Sequence, residues 1–223
     1  MEETPDRRPL ILAGFALAAV IVVIAVLVSG GGDDESGGLA EHCKESPVGA
    51  PNHLNLDCPE DAETPPDGSV AVVDTSEGQF TIALATEDAP LTTASFAYLV
   101  DQELYTKTKF HRIAPEFVIQ GGDPLGTGTG GPGYSVVEAP PSSTKYTPGV
   151  VAMAKGGTDP PGTSGSQFFV VTGSANEGLP AEYALLGEVS EGFDVAEGIG
   201  KLGSPSDQPT KLVLIDKITI KEG

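Results

Sequence analysis

Tryptophan is absent from this 223-residue chain, aromatic residues make up only 6% of it, and cysteine occurs twice. Without an indole and with few rings, any interior must be built largely from aliphatic side chains. Basic residues are scarce as well, 12 against 32 acidic ones, giving a formal charge of −20. That balance excludes a nucleic-acid partner, because a phosphate backbone needs a lysine and arginine patch that this chain does not supply. Histidine is equally sparse, and His111 is the one histidine beyond residue 68. The segment 162–166, GTSGS, comes near a serine nucleophile elbow but lacks the closing glycine and has no other base than His111, so serine hydrolysis is not expected. Residues 126–131, GTGTGG, satisfy G-x-G-x-x-G, yet Pro132 and Gly133 follow where a nucleotide-binding helix should begin. This is read as a loop, and no cofactor or metal is expected.

What is present begins with 10–28, LILAGFALAAVIVVIAVLV, 19 uncharged residues with no polar face. As a helix they span about 28 Å, near the hydrocarbon thickness of a bilayer. Arg7 and Arg8 precede the run and Asp33, Asp34 and Glu35 follow it, so the positive-inside rule leaves residues 1–9 in the cytoplasm and sends the rest across. The expectation is a single-pass signal anchor at 10–28 in the cell membrane with an extracytoplasmic C-terminal part; cleavage and secretion is the alternative. Residues 29–68 then read as a disordered acidic linker. Between Asp33 and Asp67 Lys44 is the sole basic residue, and such a segment cannot bury enough apolar surface to fold alone. It carries both cysteines. Outside the cytoplasm Cys43 and Cys58 are expected to pair; a metal site with His42 and His53 is the alternative, although the spacing fits no common zinc pattern.

About 155 residues remain, enough for one domain with a real core. VAVVDTS and QFTIALA around Glu77 and Gly78 predict a β-hairpin. Residues 89–102 predict a helix with Asp88 as cap, Pro90 in its first turn and Leu91, Ala94, Phe96, Leu99 and Val100 as its core stripe. Further strands are predicted near 149–154, 167–172, 184–189 and 212–220, with a short helix near 192–200. Many strands and two helices suggest a closed antiparallel barrel.

The most informative stretch is 110–123, FHRIAPEFVIQGGD, with 166–172, SQFFVVT, as its partner. Two β-prone runs flank the turn Ala114-Pro115-Glu116, and alternation places Phe110 with Arg112 and Val118 with Gln120 on common faces. A guanidinium and an amide thus interrupt strands that otherwise look like core. Either both point to solvent or they stand in a shallow apolar groove and handle a ligand; the neighbouring phenylalanines favour the groove. His111 is read as a structural hydrogen-bonding residue rather than a proton shuttle.

FHRIAPEFVIQGGDP, the glycine-rich GTGTGGPGY, GVVAMAKGG and GTSGSQFFVVT, in that order, resemble the cyclophilin family of peptidyl-prolyl isomerases over roughly 69–222, with the anchor marking a bacterial, membrane-tethered member. The resemblance implies a mainly β fold, an eight-stranded closed antiparallel barrel capped by two helices. It implies that Arg112 is the catalytic arginine, that Gln120 supports it, and that Phe117, Val118, Phe169 and Leu179 form the proline pocket. Ala154 and Lys155 fall in the segment whose backbone pairs with the residue before proline, Gln167 in the groove wall, and Tyr183 at the pocket histidine position. Valine replaces the usual methionine at 118, and lysine stands at 155 where asparagine is commoner. The family's tryptophan falls at Gly178, so cyclosporin should bind weakly. The implied partners are Xaa-Pro segments in unfolded or looped protein, handled by a monomer; the alternative is a prolyl-peptide binding module or holdase without turnover.

Overall fold

A computed structural model describes residues 39–46, 54–174 and 178–223. The anchor expected at 10–28 lies outside the described residues, among which no helix is long and apolar enough to cross a membrane. The chain enters through helix α1 (Leu39–His42) and strand β1 (Cys43–Glu45), then forms the predicted hairpin, β2 (Val70–Thr75) and β3 (Gly78–Leu84). Helix α2 (Pro90–Asp101) leads to β4 (Thr108–Lys109), β5 (Arg112–Ala114) and β6 (Val118–Gly121). Strands β7 (Tyr134–Val137), β8 (Val150–Met153), β9 (Thr163–Ser164), β10 (Phe168–Val171) and β11 (Leu185–Glu191) follow, then α3 (Phe193–Gly200) and β12 (Leu214–Lys221).

Nine strands form one curled antiparallel sheet in the order β4-β12-β2-β3-β11-β8-β10-β6-β5. The resemblance implied eight. The ninth arises because the run 108–114 is interrupted at Phe110 and His111: its first half, β4, pairs with β12, and its second, β5, pairs with β6 at the other end of the order. A single bridge, Lys109 to Asp123, joins the β4 end to the residue two beyond β6. The same interruption corrects a facing assignment. Strict alternation put Phe110 beside Arg112, but Phe110 turns into the main core, where its ring meets Phe168 edge-on at 6.3 Å.

That core fills the inner face of the sheet with Phe80, Ile82, Ile119, Val151, Phe168, Leu186 and Ile215, all buried. Phe96 and Leu99 of α2 seat on it, with Leu91 and Val100 half-buried at its margin, and Ala196 and Ile199 of α3 also belong to it. The N-terminus of α2 is capped differently from expectation. Asp88 makes no cap bond; instead the Glu138 carboxylate accepts from the Leu91 and Thr92 backbone N–H groups at 3.1 and 2.7 Å and from the Thr92 hydroxyl at 2.6 Å. A negative charge there satisfies orphan donors and complements the helix dipole.

A second sheet, β1-β7-β9, was not anticipated, and it corrects the reading of the linker. Cys43, Lys44 and Glu45 pair with Val136, Ser135 and Tyr134, Leu39 is buried in the main core, and Leu56 and Cys58 pack against it. Beyond β1, Ser46, Leu54 and Leu56 donate their backbone N–H groups to the carbonyls of Gly133, Gly131 and Pro132. The approach requires glycine: a Cβ at Gly133, where φ is +109°, would fall 2.1 Å from the Leu54 carbonyl oxygen. Cys43 and Cys58 form a disulfide with Cα atoms 5.9 Å apart. Residues 39–46 and 54–58 therefore acquire structure by adding to an edge the domain already offers.

Candidate functional site

The outer face of the sheet carries its own, smaller apolar cluster. Because successive side chains alternate across a strand, the residues between the core positions point the other way. In β6 these are Val118 and Gln120, in β10 Phe169 and Val171, in β8 Val150 and Ala152, and in β5 Arg112 and Ala114. Register then aligns Arg112 with Gln120, Gln120 with Phe169, and Phe169 with Ala152 in one row across four strands. Ala114, Val118 and Val171 form the next row. A guanidinium and an amide thus abut a floor of Val118 and Phe169, which are 2% and 5% exposed.

A cavity of about 140 Å³ opens on this floor, lined by Arg112, Phe117, Val118, Gln120, Ala154, Lys155, Phe169, Leu179 and Tyr183. Nine of the ten residues expected in the site thus meet in one pocket. Gln167 stands in the adjoining cavity of about 500 Å³, which shares Gln120, Ala154 and Lys155 with the first. Arg112 and Gln120 therefore line a groove on this face rather than an open strand surface. Gly178 leaves open space where a side chain could stand; a Cβ added there meets nothing within 4 Å among the described residues.

Polar contacts run through the site in a chain. The Arg112 Nη1 donates to Gln120 Oε1 at 3.5 Å, Gln120 Nε2 to Gln167 Oε1 at 3.0 Å, and Gln167 Nε2 to the Gly130 carbonyl at 2.9 Å. Arg112 Cζ lies 5.7 Å from the centre of the Phe117 ring, within cation–π range. Its remaining partner was not foreseen. Asp207 Oδ2 accepts from Nε at 3.1 Å and from Nη2 at 2.8 Å. Asp207 sits in a loop 95 residues further along, and nothing in local sequence pattern points from one to the other.

The far wall is set by Tyr146, also unforeseen. Its hydroxyl donates to the Tyr183 carbonyl at 2.7 Å and accepts from the Tyr183 N–H at 2.9 Å, while the Tyr183 ring meets Phe169 edge-on at 5.4 Å. Burial pushes the Tyr146 hydroxyl above its ordinary pKa, which keeps it a donor. The Lys155 side chain, only 5% exposed, lies along this wall with Nζ 3.3 Å from Glu182 Oε2, 3.2 Å from the Asp159 carbonyl and 5.8 Å from the Tyr183 ring centre. Its charge is spent on holding two loops together.

The glycine-rich loop is a loop, as its Pro-Gly sequel implied, and Asp123 organises it. This buried carboxylate accepts from the backbone N–H groups of Leu125, Thr127, Gly128 and Gly130 at 2.5–3.2 Å. Burial alone would raise its pKa, but the four donors outweigh it and hold the group below the usual carboxylate range. Neither ring nitrogen of His111 makes a well-formed hydrogen bond among the described residues, and the Gln167 side chain is its one hydrogen-bonding neighbour. Burial, helped by Lys109 and Arg112 and opposed by Asp123 and Gln167, lowers its pKa.

Arg112, Gln120 and an apolar floor, with the one lining amine, Lys155, paired to Glu182, suit a reaction in which no covalent bond is broken. Comparison with known proteins agrees in kind. Residues 70–220 match the model of the cyclophilin type peptidyl-prolyl cis-trans isomerase/CLD family. The chain is 37% identical over 183 residues to peptidyl-prolyl cis-trans isomerase A of Mycobacterium tuberculosis, covering 74% of this chain and 98% of that protein. It is 39% identical over 153 residues to a peptidyl-prolyl cis-trans isomerase-like 1 of Neurospora crassa, covering 66% and 91%. Among solved structures, a cyclophilin type isomerase of Cryptosporidium parvum in the presence of the dipeptide Ala-Pro superposes with a TM-score of 0.63 at 30% identity, over 69% of this chain and 99% of that one.

Proposed function

This chain belongs to the cyclophilin-type peptidyl-prolyl cis-trans isomerases, and from that premise we propose that it isomerises Xaa-Pro bonds in proteins outside the cytoplasmic membrane, with Arg112 stabilising the twisted imide. Rotation about the bond meets a barrier of about 18–20 kcal/mol from C–N double-bond character. Twisting removes that resonance and leaves the imide nitrogen pyramidal, able to accept a hydrogen bond. Arginine suits the task because it stays charged at working pH and presents five fixed N–H donors. With the proline ring on Val118 and Phe169, a free N–H of Arg112 reaches the prolyl carbonyl and the turning nitrogen, and Gln120 keeps the guanidinium in plane. Each 1.4 kcal/mol gained only in the twisted state gives about tenfold in rate.

The observation that carries this reading is the single row Arg112–Gln120–Phe169 over one apolar pocket. We read the curled sheet as a closed eight-stranded barrel in which β4 and β5 are one bent strand, a reading supported by their pairing with β12 on one side and β6 on the other. The extracytoplasmic location rests on the apolar run 10–28 with its flanking charges, and the Cys43–Cys58 disulfide supports an oxidising compartment. We expect a monomer anchored through 10–28. Two measurements test this together: the full-length protein in membranes should accelerate cis-trans exchange of a proline tetrapeptide, and protease added to intact cells should remove the domain. A domain shielded until the cells are lysed contradicts the topology.

A further inference from the structure

The guanidinium of Arg112 is held from behind by a residue outside the groove row, and we infer that Asp207 is a positioning residue for the isomerase reaction. The inference rests on the assignment of Arg112 above and extends it to the loop before β12. Arg112 is 35% exposed in its side chain, so on its own it would sample several rotamers into solvent. Asp207 restricts it by taking both Nε and Nη2 on one oxygen. With Nη1 turned to Gln120, three of the five N–H groups are engaged, and the two left over sit on Nη1 and Nη2.

The carboxylate is itself fixed by backbone. Asp207 adopts φ +59°, its N–H donates to the Ser204 carbonyl at 3.0 Å, and its carbonyl accepts the Ile113 N–H at 3.0 Å. Ile113 is the next residue after Arg112 on β5. The residue that satisfies the free edge of that strand thus also holds the neighbouring guanidinium. Gly203, at the base of the loop, lies so close that a Cβ would fall 2.3 Å from the Ile113 carbonyl oxygen. Loop and strand form one unit, and the ion pair is its working part.

Left-handed backbone at 207 decides the variants. Alanine would be strained there, whereas glycine and asparagine tolerate φ above zero. Asp207→Gly removes the carboxylate; Asp207→Asn keeps an acceptor oxygen without the charge. In a protease-free exchange assay on a proline tetrapeptide with the full-length protein, Asp207→Gly should lower kcat about tenfold with KM nearly unchanged, since only the twisted state is affected. Asp207→Asn should stay within about threefold of wild type, because its amide oxygen can still accept from Arg112. In an Arg112→Ala background, Asp207→Gly should change the residual rate by less than about twofold. Wild-type kcat in folded Asp207→Gly, or the same tenfold loss with and without Arg112, overturns the inference while leaving the role of Arg112 standing. An unchanged rate in Arg112→Ala alone overturns both.

Discussion

Asp123 illustrates how one side chain can hold a segment that sequence pattern alone makes ambiguous. Four backbone N–H groups from 125–130 converge on its carboxylate, and that loop supplies Gly130, whose carbonyl orients Gln167. Because the folded pKa is lowered, the stabilisation is full above the unfolded carboxyl pKa, near 4, and is lost as pH falls through the lower folded value. Asp123→Asn should therefore cost about 2 kcal/mol or more at pH 7 by denaturant titration, and the gap to wild type should narrow below about pH 4. At this scale the sequence was legible wherever a residue's role lies in its own strand. Val118 and Gln120 could be placed on one face from a period of two, whereas Arg112 and Phe169 joined them only through the family resemblance and the register of the sheet. Asp207 and Tyr146 could not be placed, because each acts across a distance that only tertiary folding closes. For His111 the fold offers Gln167 alone, from the residue before β10, which local pattern does not connect to it.

Elements show the same division. The stripe and Pro90 located α2 to within a residue at each end, since both signals are local. Its cap was assigned to Asp88 by proximity, yet Glu138 does the work from 46 and 47 residues away. Glu138→Ala should destabilise the protein by about 1–2 kcal/mol, in the range of a lost N-cap, whereas Asp88→Ala should stay within about 0.5 kcal/mol. Equal costs for the two would contradict the assignment. The break between β4 and β5 was hidden for a related reason. FHRI reads as continuous strand, and the interruption follows from pairing with two different neighbours, β12 and β6, which no alternation in the run itself encodes.

For the molecule as a whole, the segment before the domain changes most between sequence and structure. Acidic, glycine-rich composition reads as a tether, and the described residues 39–46 and 54–58 pack on the main core rather than on one of their own. Burial of Leu39, pairing with β7 and the disulfide let its described parts borrow one. Replacing both Cys43 and Cys58 by serine should lower stability by about 3 kcal/mol, read as a drop in Tm of about 6–12 °C, on the loop-entropy account of a 15-residue separation. An unchanged Tm would mean that the added strand holds without its bridge. The central claim concerns the charge on the outer face of the sheet, and a comparison of wild type with Arg112→Ala tests it most directly, measuring kcat/KM for a proline tetrapeptide by protease-free exchange alongside peptide affinity. The account predicts a loss of at least about tenfold in kcat/KM with affinity altered far less. An unchanged rate would contradict it and leave a groove that binds prolyl peptides without turning them over.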